Sequence, residues 1–212
     1  MGTIKKGILG AFSGKVGNVV GASWKGIAYM RSLPASVKNP RSLKQRTQRS
    51  KFSLALEVIQ PLLSVIKQGW KLYANKQSAF NAAMSYTVFN VIQGEYPDYN
   101  VDYSKIIISR GNLTAAADYA VVASPTGATI NWGDNSGQGA AQPTDVVIVA
   151  ALNPAKGEIA TPVADATRAD GTIDIVYPGH WENYKTHVYL GFISDDGKEV
   201  ANSVYLGEVN KP

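Results

Sequence analysis

The side chains able to react or to hold a metal are few, and they fall in settings that suit packing and turns. The chain has two histidines, His180 and His187. With Asp174 or Glu182 either could build an acid–base pair or a metal site, because imidazole titrates near neutrality and ligates metals through a neutral nitrogen. His187, however, falls on an expected strand and points away from Val188, while His180 falls in a turn beside Trp181. Asp195-Asp196-Gly197 places carboxylates at a hairpin tip, where Asp-Gly is ordinary turn chemistry. Asp134-Asn135-Ser136-Gly137 lacks the remaining ligands of a calcium loop. Gly14-Lys15-Val16-Gly17 lacks the Gly-Lys-Ser/Thr ending that a phosphate loop carries at a helix start. No Ser/His/Asp set has a recognisable local setting. The sequence holds no cysteine, which excludes thiolate metal sites and disulfides. The expectation is a protein that is not an enzyme, with no cofactor and no metal.

Charge is the more informative property. The first 56 residues carry eleven Lys and Arg and no Asp or Glu. Residues 1–100 hold 14 basic against 3 acidic side chains, and residues 101–212 hold 7 against 13, so a net charge of +5 conceals two halves of opposite sign. A basic arm attracts phosphates, anionic surfaces or an acidic protein face, including that of a second copy. The densest part is the candidate anion- or partner-binding cluster of Lys38, Arg41, Lys44, Arg46 and Arg49. Lys38, Arg41, Lys44, Gln45 and Gln48 follow helical spacing and so share one face, with Arg46 and Arg49 beside it. Arg41 and Lys44 fall in the opening turns of the expected helix, where the macrodipole disfavours a cation by roughly 0.3–1 kcal/mol. A nearby anion would offset that cost.

Three segments position these groups. Residues 7–34 are rich in glycine, interleaved with Val16, Val19, Val20, Trp24, Ile27 and Tyr29, which favour pleated structure. Lys25-Gly26 marks a tight turn, so a hairpin is expected over about 17–24 and 27–33. An isolated hairpin is barely stable in water, which makes those six apolar residues the candidate self-association surface. Residues 39–94 switch to a helical period. Asn39-Pro40 reads as the helix start, with Asn capping and Pro in the first turn. Phe52, Ala55, Leu56, Ile59, Leu62, Leu63 and Ile66 make one apolar stripe, which Pro61 should kink or break. A second stripe runs from Ala79 to Ile92 and ends at Gly94, read as a left-handed cap.

After a turn-rich link over 95–104, short apolar runs recur at 106–109, 119–123, 129–132, 146–151, 172–176, 187–193 and 203–209. Turn residues separate them, which argues for an antiparallel β-sandwich of the immunoglobulin or fibronectin type. Trp132, Val147, Val149, Val188, Leu190 and Phe192 are its expected core. The fold class is therefore α+β: a basic β-hairpin and helical hairpin over 1–102, followed by the sandwich over 103–212. No apolar run approaches the roughly 20 residues that cross a bilayer. The apolar stretch from Gly7 to Phe12 is broken by Ser13, Gly14 and Lys15, too soon for a secretory signal. The expected location is cytoplasmic or within a virion.

Gly14-Lys15-Val16-Gly17-Asn18-Val19-Val20-Gly21, Trp24-Lys25-Gly26 and Arg31-Ser32-Leu33-Pro34 resemble an uncharacterised protein family of Bacteroidota. Asn39-Pro40-Arg41-Ser42 with Gln45, Gln48-Arg49 and Phe52 is similar to that family and to a pattern of phage and prophage structural proteins. Asn202-Ser203-Val204-Tyr205-Leu206-Gly207 matches the family's C-terminal part. The resemblance covers most of the chain and implies no activity and no catalytic residue.

These readings lead to a structural or assembly protein of a phage or phage-like particle, which binds itself or other particle proteins through its basic N-terminal part. Two alternatives stand beside it. One is a nucleic-acid-binding protein using the same basic part. The other is a carbohydrate- or peptide-binding sandwich, resting on exposure of Trp181, Tyr184 and Tyr189.

Overall fold

The computed structural model describes residues 2–4, 7, 10–24, 26–36, 39, 41–75 and 77–210. The chain forms two compact units, Met1–Ser42 and Leu43–Pro212, which divide it at 42/43 where the sequence placed a boundary at 102/103.

The small unit is one antiparallel sheet of four strands in sequential order, β1 (Thr3–Ile4), β2 (Phe12–Val16), β3 (Val19–Trp24) and β4 (Ile27–Ser32). Strands β3 and β4 are the expected hairpin, with Trp24 opposite Ile27 and Val19 opposite Ser32. Its turn contains Lys25, which lies outside the described residues.

In the large unit, helix α1 (Leu43–Ile59) starts later than Asn39-Pro40 indicated, and Pro40 lies outside the described residues. The helix stops before Pro61, whose ring and missing N–H interrupt the ladder, and α2 (Leu63–Gly69) follows. Helix α3 (Ala79–Asn90) is capped by Ser78, whose hydroxyl accepts from Asn81 N at 3.1 Å. It ends before Gly94, which is no helix cap. Gly94 lies in a two-stranded hairpin, β5 (Ile92–Glu95) and β6 (Asp98–Val101), at φ +87°, with Asp98 O only 2.5 Å from where a Cβ would stand. The closed hairpin therefore requires glycine there.

Seven strands follow: β7 (Ala117–Ser124), β8 (Gly127–Gly133), β9 (Val146–Asn153), β10 (Glu158–Ala160), β11 (Thr172–Val176), β12 (Lys185–Ile193) and β13 (Val204–Asn210). They make two antiparallel sheets, of order β11-β8-β7 and β10-β9-β12-β13. The expected strand over 106–109 is absent. That segment is buried and linked irregularly to 200–203. Ser203 Oγ accepts from Ile108 N at 2.9 Å, and Ser109 Oγ donates to Ala201 O at 2.9 Å.

Two cores meet on β9 and β12. Val149, Ala151, Val188, Leu190 and Phe192 pack with Ile130, Trp132 and Ile175 of the three-stranded sheet. Ile148, Ala150, Leu152 and Tyr189 point to the opposite face, where Ala55, Ile59, Leu62, Ile66, Trp70 and Met84 cover them. The four-stranded sheet is thus the middle of three layers, with the helices on one face and the second sheet on the other. This arrangement explains why β9 and β12 read as nearly unbroken apolar runs rather than alternating ones. Along the expected stripe Ala55, Ile59, Leu62 and Ile66 are buried and Leu56 is partly so, whereas Phe52 is 52% and Leu63 37% exposed. Among the described residues, no helix is long and apolar enough to cross a membrane.

Candidate assembly surface

The small unit has almost no interior. Among its described residues only Gly21 is buried, and all six residues of β4 are exposed. Register assigns its side chains to two faces. Trp24 opposes Ile27, Ala22 opposes Tyr29, and Val20 opposes both Arg31 and Lys15, so these seven residues share one face. Val16 opposes Val19, and Gly21 opposes Met30, which puts these four on the other. The six expected self-association residues therefore split. Val20, Trp24, Ile27 and Tyr29 form an aromatic and apolar stripe that runs into Lys15 and Arg31, while Val16 and Val19 lie behind it. Trp24 and Ile27 are 63% and 66% exposed, and Met30 on the reverse face is 70% exposed. Among the described residues β4 is an outer strand with β3 as its one neighbour, which leaves an edge open.

The basic cluster is not the single helical face that its spacing suggested. Lys38 lies outside the described residues, and Arg41 precedes the helix in the small unit. Lys44, Arg46 and Arg49 occupy the first two turns of α1, where no residue from Leu43 to Ser50 is buried. The Arg46 guanidinium sits 6.0 Å from the Tyr96 ring centroid, and Lys51 Nζ sits 5.1 Å from that of Tyr99. Both rings belong to or flank the β5–β6 hairpin, which gives Arg46 and Lys51 of α1 cation–π support. The first turn of α1 carries no acidic residue.

The two histidines stand apart from each other. His187 stacks on Tyr103 with ring centroids 4.3 Å apart, and its Nδ1 lies 2.8 Å from Tyr205 Oη. Burial lowers its pKa. His180 is exposed, with Nε2 2.7 Å from Glu158 Oε2. Trp181 Nε1 donates to the same oxygen at 2.8 Å, and these two contacts hold the Glu158 carboxyl below its usual range. Asp174 Oδ1 accepts from Thr129 Oγ1 at 2.6 Å, whereas the two histidines meet Glu158 and Tyr205. In the loop at 195–197, Asp196 accepts from Lys198 N, Ser194 Oγ and Lys198 Nζ, which hold its pKa far below normal. Asp134 likewise accepts from Ser136 N at 2.9 Å, while Asn135 turns inward to Ala115 O. Among the described residues, no three His, Asp or Glu side chains converge as a metal site.

The exposed aromatic set expected on the sandwich does not form. Trp181 and Tyr189 are fully buried, one in each core, and only Tyr184 is exposed. Trp181 fills the space beside Tyr177, and Tyr189 donates to Tyr103 O at 2.8 Å.

Residues 11–207 match a protein family described as one of unknown function, DUF6266, and the chain belongs to that family. No curated protein and no solved structure matches it.

Proposed function

We propose that the protein is a non-enzymatic structural or assembly component, of a phage or phage-like particle, and that it associates through its N-terminal unit. The observation that carries this reading is a basic sheet whose described residues bury no apolar side chain. Sheets of this size need a surface to cover, and contiguous exposed apolar side chains mark interaction sites. Charge favours a second copy as the partner. Residues 1–42 hold seven Lys and Arg and no acidic residue, whereas residues 43–212 hold fourteen basic and sixteen acidic. A contact between the small unit of one copy and the large unit of the next is heterologous, and repeats into a ring or filament.

Strand order supports an immunoglobulin- or fibronectin-type sandwich as the body that carries this arm. Lettered A to G, the strands β7–β13 form sheets E-B-A and D-C-F-G. The B–E and C–F–G pairings are those of the immunoglobulin arrangement, with the fourth strand moved to the C–F–G sheet.

A second reading is favoured by Trp24 and Tyr29 sharing a face with Lys15 and Arg31. Aromatic rings beside cations are the elements of a single-strand nucleic-acid platform. Light scattering of the full chain at low and high salt, with absorbance read for co-purified nucleic acid, separates the two. Assembly through the stripe requires particles larger than a monomer that are lost on replacing Trp24, Ile27 and Tyr29 by Ser. A monodisperse monomer at high concentration and low salt overturns it. Nucleic-acid binding instead requires a log–log salt slope of about −0.7 per phosphate of single strand. Arg41, Lys44 and Arg49 changed together to Glu should weaken whichever contact operates; unchanged association removes this cluster from the function.

A further inference from the structure

We propose that the cleft around Arg110, on the helical side of the large unit, is a docking site for an acidic peptide segment in which Asp or Glu adjoins an apolar side chain. The cleft has a volume of about 310 Å³ and is lined by Trp70, Tyr73, Tyr86, Phe89 and Arg110, with Gln77, Ser85 and Asn90 among its polar groups. The guanidinium lies 4.8 Å from the Tyr73 ring centroid, 5.7 Å from that of Trp70 and 5.8 Å from that of Tyr86. Among the described residues, these rings are its only side-chain partners. Among the described residues the guanidinium makes no ion pair and no hydrogen bond, and no acidic residue lines the cleft.

A guanidinium stacked on rings uses its faces, and the N–H edge stays available for a planar, bidentate carboxylate. The surroundings hold that edge in place. Arg110 N donates to Gly69 O at 2.9 Å, and Trp70 Nε1 donates to Ile107 O at 3.0 Å, so the backbone and the largest ring are both fixed. A half-buried cation walled by aromatic rings, with no counter-charge in the cleft, favours an anionic ligand. Phe89 supplies the apolar complement: it is 79% exposed at the rim. The amide oxygens of Gln77 and Asn90 suit the backbone N–H groups of an extended peptide, while Gln77 Nε2 donates to Tyr73 O at 3.5 Å and Asn90 Nδ2 to Tyr86 O at 2.8 Å. A free carboxylate without an apolar neighbour would leave the rings uncovered. A purely apolar segment would leave the guanidinium buried and unpaired. All the residues that line the cleft belong to the large unit.

The test titrates the full chain with three acetylated, amidated tetrapeptides, Gly-Asp-Leu-Gly, Gly-Asn-Leu-Gly and Gly-Asp-Ser-Gly, followed by NMR shifts of the aromatic resonances. The Asp-Leu peptide should bind about tenfold more tightly than the Asn-Leu peptide, the difference expected of one charge-assisted pair. It should also outbind the Asp-Ser peptide. In Arg110→Gln the Asp-over-Asn preference should vanish, while in Phe89→Ser the Leu-over-Ser preference should vanish. Phe89 is exposed, so that second variant remains informative if Arg110→Gln fails to fold. Equal binding of the Asp and Asn peptides, no binding of any peptide, or preferences that survive both substitutions would overturn the proposal.

Discussion

Arg168 Nε donates to Asp145 Oδ2 at 3.0 Å, with both side chains buried. Around this pair Arg168 Nη1 donates to Asn135 Oδ1 and Nη2 donates to Thr114 O at 2.9 Å. The guanidinium lies 3.9 Å from the Phe192 ring centroid, and Trp132 Nε1 donates to Arg168 O at 2.8 Å. One arginine thus ties the segments at 114 and 135–145 to the core between the two sheets. Removing either charge leaves the other buried without its partner. Arg168→Leu and Asp145→Leu should each cost about 3–5 kcal/mol in urea unfolding, and the double variant clearly less than their sum. Additive losses, or single losses below about 1 kcal/mol, would show that the pair is not coupled.

A second expectation concerns the passage of α2 over the segment at 106–109. A Cβ built on Gly69 would lie 2.2 Å from Ile108 O and 2.7 Å from Ser109 Cα, so backbone must move to admit it. Alanine is the better helix former by about 1 kcal/mol, which on an open helix would stabilise. Here overpacking should win, and Gly69→Ala should lower stability by about 1–3 kcal/mol. A stability equal to or above that of the parent would mean that the helix end and this segment can separate at little cost.

The pH dependence follows from His187. Burial is the largest cause of its lowered pKa; Lys185 lowers it further, and Glu208 opposes both. Tyr103 and Tyr205 are the rings packed on it. With the folded pKa below the ordinary 6.5, the unfolded chain takes up the proton first as pH falls. This contribution is complete above that ordinary value and is lost as pH drops through the folded one. Between about pH 7.5 and pH 5, the parent should therefore lose more stability than His187→Gln, a side chain still able to meet Tyr205 Oη. Parallel pH profiles for the two proteins would exclude His187 as the titrating group.

The sequence was most readable where one period governed one element. Strands β3, β4, β8, β9, β11, β12 and β13 and the break at Pro61 all lie where alternation, apolar runs and proline placed them. The reading failed where long-range partners decided the outcome. Ile106 and Ile108 look like strand residues, yet their segment is bonded through Ser203 and Asn202, about ninety residues away. Gly94 looked like a helix cap because the hairpin β5–β6 rests on a single glycine between two short runs. Among candidate site residues, the exposure of Trp24, Ile27 and Tyr29 was legible from a glycine-rich hairpin. The Arg110 cleft was not, since its rings come from two separated stretches, 70–73 and 86–89, and its arginine from a third.

The division of the chain gives the last expectation. The sheet β10-β9-β12-β13 buries Ile148, Ala150, Leu152 and Tyr189 under α1, α2 and α3, so those helices are part of one packed body with the two antiparallel sheets that follow them. A fragment of residues 43–212 retains both cores and should show mixed α and β circular dichroism and one cooperative melt. A fragment of residues 103–212 strips one whole face of β9 and β12, and exposes an apolar surface large enough to drive association. It should aggregate or melt without cooperativity, in place of the independent folding that a boundary at 102/103 implies. A soluble, cooperatively melting 103–212 fragment would show instead that the three-stranded sheet and the core around Trp132 suffice, and that the helices are an addition to the fold. The same 43–212 fragment, lacking the basic sheet, should stay monomeric under salt conditions where the full chain associates, which connects the folding boundary to the assembly surface in one measurement.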